Sequence, residues 1–349
     1  MVFASAVRTL CTVLPLLGFV ACDASEAAGA TVPNGSLPLQ AICLGRYFVD
    51  IPAEASLRGE VELYFGLDRN SRRVKVEVLK RHGDLGSFDS AVAAQISDLV
   101  RNFDADTPSK NMLANQRRIN AETVLVLEHR EPTMMGYYRV LVIAKIGDAI
   151  ALFKADVFKQ DKPDNIESKV LAVAAQTRYG VDWRHEGKGT CIGPLIIDAG
   201  QDGEKFDVGA RGKVHADLSL SLSFNSLLAE TDGGLLKRVD SKAGVLAKLG
   251  AAGSTVRRGG VDIAGRRAEE LVDEDKEEGK KIRLFVAETS MTSASTLSEP
   301  RVHVEMSLGG RIKAAENQSV YVDPSLGREE SLAVWDAILR SIRLRPGSL

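Results

Sequence analysis

His185 and Cys191 stand close enough along the chain to suggest a thiolate–imidazole pair, the arrangement that activates a cysteine nucleophile. A histidine on a glycine-rich approach, Gly187-Lys188-Gly189, is more simply a solvated linker residue. Cys43, Arg46, Tyr47 and Asp50 form a second set of chemically capable side chains in one short stretch. The acidic run Glu269-Glu270 and Asp273-Glu274-Asp275-Lys276-Glu277-Glu278 offers carboxylates for acid–base work or a face for a basic partner. A solvated strand edge with a hairpin turn at Glu278-Gly279 accounts for it more simply, because most charge runs are solvated faces. The frames that usually carry enzymatic chemistry are missing. There is no G-x-S-x-G, the strand-to-helix turn of a serine hydrolase. Gly187-Lys188-Gly189 lacks the spacing that wraps phosphates, and neither H-E-x-x-H nor C-x-x-C occurs. The five histidines are dispersed. The expectation is no catalytic residue, no cofactor, no metal and no small-molecule substrate.

The chain has 349 residues, enough for two domains. A net charge of -2 and an aromatic content of 5% give no electrostatic or stacking surface for nucleic acid. The N-terminus reads as an export signal: Arg8 is followed by an apolar run from Thr9 to Ala21, too short to span a bilayer. It ends at Phe19-Val20-Ala21-Cys22, which resembles a bacterial lipobox, with Cys22 as the lipidated first residue of the mature chain. Asp23 behind it resembles the signal for retention in the inner membrane. Cleavage after Ala28-Gly29-Ala30 is the alternative. Export removes Cys11 and sets Cys22 apart, leaving Cys43 and Cys191 as an even pair in an oxidising compartment. They are either bridged or two buried thiols.

The surrounding stretches repeat. Cys43-Leu44-Gly45-Arg46-Tyr47-Phe48-Val49-Asp50 returns as Cys191-Ile192-Gly193-Pro194-Leu195-Ile196-Ile197-Asp198. After each copy the elements follow in the same order. In the first half, alternation predicts strands over 59–67 and 73–78. Phe88, Val92, Ile96, Leu99 and Phe103 predict a helix over 87–102. Strands follow over 123–128, 136–146 and 149–157, then a closing helix marked by Ile166, Val170 and Val173. In the Tyr137-Tyr138 pair one ring must point outward, because strand side chains alternate. In the second half, 214–224 alternates, with Val214, Ala216, Leu218, Leu220, Leu222 and Phe224 inward and His215 and Asp217 outward. A helix over 233–249 and strands over 259–263, 268–273, 281–287 and 301–308 follow. The closing helix carries Leu332, Trp335, Ile338, Leu339 and Ile342, capped by Asp323-Pro324-Ser325. The class is α+β: two related modules, each an antiparallel sheet with two helices. The expected map is 1–22 signal with lipobox, 23–38 flexible tether, 39–186 N-terminal module and 190–347 C-terminal module.

With these stretches in order, the chain resembles the exported immunity proteins of type VI secretion lipase or phospholipase effectors. The resemblance rests on the export signal, on Cys43-Leu44-Gly45-Arg46-Tyr47 running into Val49-Asp50-Ile51-Pro52, and on the restart at Cys191-Ile192-Gly193. It rests also on Gly260-Val261-Asp262-Ile263-Ala264-Gly265-Arg266-Arg267-Ala268-Glu269-Glu270, on Phe285, and on Pro300-Arg301-Val302-His303-Val304-Glu305-Met306. Val286-Ala287 before Glu288 and Pro194-Leu195 after Gly193 depart from the pattern. The resemblance implies a non-enzymatic inhibitor that binds a lipase in the periplasm and covers its active site, with a lipid anchor in the inner membrane. An envelope lipoprotein with a structural or secretion-accessory role, or a hydrolase using scattered carboxylates, are the competing readings.

Overall fold

The computed structural model describes residues 37–66, 72–80, 87–101, 112–129, 137–158, 161–180, 187–228, 233–248, 253–290, 294–313 and 318–349. The export signal, Cys22 and His185 lie outside the described residues. The chain opens with a tight hairpin, β1 (Leu39–Gly45) and β2 (Tyr47–Pro52), turning at Gly45-Arg46. Gly45 has a φ of +65°, and a Cβ there would stand 2.7 Å from the Phe206 ring, so only glycine fits this turn. β3 (Ser56–Phe65) and β4 (Arg72–Lys80) form the next hairpin, and α1 (Phe88–Arg101) follows. A meander of β5 (Leu113–Asn120), β6 (Thr123–His129), β7 (Tyr138–Ile146) and β8 (Ala149–Val157) leads into α2 (Pro163–Ala175) and β9 (Thr177–Tyr179).

The second half runs through a short hairpin, β10 (Thr190–Ile192) and β11 (Leu195–Ile197), then β12 (Gly203–Arg211) and β13 (Ser219–Asn225). α3 (Leu235–Lys248) precedes β14 (Ser254–Ile263), β15 (Arg266–Glu277), β16 (Lys280–Thr289) and β17 (Arg301–Lys313). β18 (Ser319–Val322), α4 (Arg328–Ser341) and β19 (Arg343–Leu344) close the chain.

The strands assemble into two sheets that both halves share. The large sheet runs β14-β15-β16-β17-β13-β12-β3-β4-β8-β7-β6-β5, with β18 added on β17. From the middle outward, each half contributes its strands in the same chain order. The seam is β12 against β3, antiparallel from Gly203↔Tyr64 to Arg211↔Ser56. The small sheet runs β19-β2-β1-β10-β11-β9. Here the closing strand of each half pairs with the opening hairpin of the other: β9 with β11, and β19 with β2. A separate sheet for each half is therefore not what forms. The reason is that β12, with buried Phe206, Val208 and Ala210, has an apolar face continuous with Val61 and Leu63 of β3. β12 had no place in the sequence reading.

Burial explains the strand patterns. β7 is buried without interruption from Val140 to Ala144 because both of its faces are covered. Val140 and Val142 face the main core that includes α2 residues Val170 and Val173. Leu141 and Ile143 face a second cluster with α1 residues Ala91 and Val92. On α4, Trp335 is fully buried and packs against Phe285, ring centroids 5.4 Å apart.

Local expectations differ at four places. Val214 is 79% exposed and Ala216 is exposed, because β13 begins only at Ser219. Asp217, expected outward, is buried and accepts hydrogen bonds from the backbone N–H groups of Gly309 and Ser325, both at 2.9 Å. Asp323 does not cap α4, whose N-cap is Gly327; it accepts instead from the Lys281 backbone N–H at 3.0 Å. Tyr137 and Tyr138 are both half-buried, the second stacked on His129 at 4.9 Å.

Candidate partner interface

The two hairpins that open the halves lie side by side. β1 pairs with β10 through Leu44↔Ile192 and Gly45↔Cys191. Cys43 and Cys191 are joined by a disulfide, with Cα atoms 5.8 Å apart, and both are buried with Phe48 and Ile196. Bonded and enclosed, Cys191 presents no thiolate for nucleophilic chemistry.

Arg46, at the tip of the first hairpin, is buried rather than reactive. Its Nη2 and Nε donate to Oε1 of Glu204 on β12, at 2.8 and 3.0 Å. The same carboxylate accepts from the Gln201 amide at 2.7 Å and from the Thr190 hydroxyl. The Arg46 carbonyl accepts from the Arg345 backbone N–H at 2.7 Å, and Arg46 Nη1 donates to the Ser348 carbonyl. The fully buried Arg345 donates onward to the carbonyls of Gly187 and Gly189. Arg46 thus ties the first hairpin to β12 and to the C-terminal tail. No sequence signal distinguished this role, since Pro194 stands at the matching place in the second copy.

The acidic run divides between two jobs. The β15–β16 hairpin turns at Glu278-Gly279, with φ of 50° and 77°, as expected. The earlier carboxylates are not a solvated face. Glu269 accepts from the Leu236 backbone N–H at 2.9 Å, satisfying an orphan donor at the start of α3. Glu270 is buried and accepts from Trp335 Nε1 at 3.0 Å and Arg257 Nη2 at 2.9 Å. Glu274 pairs with the buried Arg283 at 2.9 Å, which also donates to Ser331 Oγ at 2.6 Å. The Arg283 bond, with Arg328 behind it, holds the Glu274 carboxyl below its ordinary range against a smaller opposing effect of burial. Beside them, Glu288 accepts from Arg238 Nη2 at 2.7 Å and pairs with Arg301 and with His303 Nδ1 at 3.0 Å. Burial raises the Glu288 carboxyl, but these three partners outweigh it and hold it at about 2. These pairs seat α3 and α4 on the sheet; beside the Glu288 group, Arg301 and His303 border an open hollow of about 300 Å³ with Ser223, Asn225 and Leu228. Among the described residues no group of histidine, cysteine or carboxylate side chains is placed to hold a metal.

A crevice of about 1220 Å³ opens between the two sheets. Segments 40–44 of β1, 55–59 around the start of β3, and 77–80 of β4 line it, with Tyr179 and Pro194 at one side. Small-molecule clefts occupy ~300–1,000 Å³, so this crevice suits a polypeptide segment. Exposed Arg58, Lys80 and Lys213 stand on it without a carboxylate partner among the described residues. Glu77 on the same wall is engaged by Lys154 at 3.2 Å. Next to Lys213, the exposed Val214 is held outward: its backbone N–H donates to the Glu54 carboxylate, which also meets His215 Nδ1 at 2.8 Å.

Residues 186–347 match the family model of the Tle cognate immunity protein 4 C-terminal domain. Over this C-terminal stretch the chain is similar to that immunity-protein family. Immunity proteins of this family are non-enzymatic inhibitors. Solved immunity structures share the fold over both halves. The apo structure of the immunity protein TplEi of the T6SS from Pseudomonas aeruginosa superposes with a TM-score of 0.61 at 20% identity, covering 89% of this chain and 98% of that one. The crystal structure of the Tle4–Tli4 complex gives a TM-score of 0.61 at 22% identity, with 89% and 98% covered. TplEi complexed with "L" peptide gives 0.59 at 20% identity, with 88% and 98% covered. At these identities the likeness is one of fold. No curated protein sequence matches the chain.

Proposed function

We propose that the chain is an exported immunity protein that binds a type VI secretion lipase effector and neutralises it by covering its active site. The observation that carries this is the match of residues 186–347 to the Tle cognate immunity family. The fold likeness to an immunity protein bound to its Tle effector, and to one bound to a peptide, supports the reading. The two halves, 39–186 and 190–347, act as related modules gripping one partner, in keeping with the matching strand order. A stable grip buries ~1,600 Å², which needs a shaped surface rather than a catalytic set. The work is done in the periplasm, from a lipid anchor on Cys22 in the inner membrane, as the N-terminal sequence suggests.

The test is co-purification with a type VI secretion lipase effector encoded in the same genome, together with a protection assay in cells that export that lipase to the periplasm. Stable complex and restored growth are the expected results. A lipase that neither binds nor is silenced refutes the proposal. Cys22→Ser should move the protein from the membrane fraction to the soluble fraction; unchanged fractionation refutes the anchor.

A further inference from the structure

Among the described residues, three strand edges that border the inter-sheet crevice have no strand partner. β3 pairs with β12 along Ser56–Tyr64 but with β4 only from Glu60↔Glu77 onward, so residues 56–59 have a bare edge on the β4 side. β4 continues to Lys80 on β8, so residues 78–80 have a bare edge facing back. β1 meets β10 only at Leu44 and Gly45, which leaves residues 39–43 unpaired on that side. Unpaired N–H and C=O groups along a strand are a template for another strand, and proteins ordinarily blunt or cover them. Here they converge on one void, lined by residues of all three segments.

Charge narrows the occupant. Arg58 stands on the bare stretch of β3, Lys80 on that of β4, and Lys213 at the mouth. None has a carboxylate partner among the described residues, whereas Glu77 on the same wall is already engaged by Lys154. Asp148 also lines the crevice, so its basic side chains outnumber its carboxylates by three to two, beside open backbone donors and acceptors.

We infer that an extended, acidic segment of the partner lipase enters this crevice and adds as a strand to the bare edges of β3 and β4. Its carboxylates meet Arg58, Lys80 and Lys213. Main-chain hydrogen bonds supply affinity in such strand addition, and side-chain contacts supply choice of partner. This deepens the binding function proposed above and rests on it.

The test is hydrogen exchange of the full chain, alone and with the same lipase effector in purified form, combined with binding of charge-reversed variants. Strand addition predicts that amides in 56–59 and 78–80 exchange at least tenfold more slowly in the complex. R58E/K80E/K213E should lower the association rate about tenfold or more, since rim charge acts mainly on encounter. Lys276→Glu, on the remote β15–β16 hairpin, should change neither quantity, and all variants should melt as the parent does. Binding with unprotected edges and an unchanged rate for the triple variant overturns the inference and leaves the immunity function standing. Absence of any binding overturns both. Slow exchange at these amides in the free chain, relieved by removing residues 23–36 or by dilution, assigns the crevice to the tether or to a second copy and likewise overturns it.

Discussion

At the scale of single residues, side chains that look reactive in the sequence turn out to be buried ties. Cys43 and Cys191 close a loop of 148 residues. Cys43→Ser with Cys191→Ser should cost ~2–5 kcal/mol and lower the melting temperature. Non-reducing mass spectrometry should recover the linked peptides, and free thiols at both positions would refute the bridge. Glu204→Gln removes the carboxylate that faces buried Arg46. Breaking a buried pair from one side costs ~3–5 kcal/mol, because the surviving charge keeps its desolvation penalty. Denaturant unfolding measures it; a loss under 1 kcal/mol would mean that water reaches Arg46. The Glu288–His303 contact sets a pH window. Glu288 falls from an ordinary 4.5 to about 2, so its contribution is complete above 4.5 and fades as pH drops toward 2. The His303 imidazole is raised above its ordinary 6.5, chiefly by its bond to Glu288, with burial opposing and Glu305 adding. Its contribution is complete below 6.5 and is lost as pH rises through the elevated value. Melting temperature should therefore decline on both sides of about pH 4.5–6.5. His303→Gln should flatten the alkaline side and, by removing one of the three partners of Glu288, also weaken the acid side.

At the scale of elements, β12 is the piece on which the rest depends. It holds Glu204, backs the Gly45 turn with Phe206, and joins the halves through its ladder with β3. Phe206→Ala should cost ~3–5 kcal/mol, as truncating a buried aromatic does. The loss should appear equally in tryptophan signals from Trp335 in the second half and in amide protection of β7 in the first. A change confined to one half would show that the seam is not cooperative. The charged face of β15 acts in the same structural way, with Glu269, Glu270 and Glu274 seating α3 and α4.

At the scale of the whole molecule, the shared sheets predict a single unfolding unit. Calorimetry of the full chain should give one transition whose calorimetric and van't Hoff enthalpies agree. Residues 186–347 expressed alone should associate or precipitate, because they lack β2 for β19 and β3 for β12. A soluble, monomeric half with a sharp transition of its own would contradict this.

The sequence by itself determined what short-range chemistry decides. Alternation at Val61, Leu63, Val74 and Val76 marked β3 and β4, and helical spacing at Ile166, Val170 and Val173 marked α2. The paired cysteines were recognisable by their repeated setting. β5 went unread because Leu113–Asn120 is an exposed edge with no apolar alternation, and β10, β11 and β19 are too short to show a period. Only the tertiary structure decided that β12 meets β3, that β9 and β19 cross to the other half, and that Asp217 and Glu270 are buried. Those outcomes depend on register between segments far apart in the chain. Closing long loops costs little extra per added residue, so global packing, not local pattern, selects which edges meet and which are left open in the crevice.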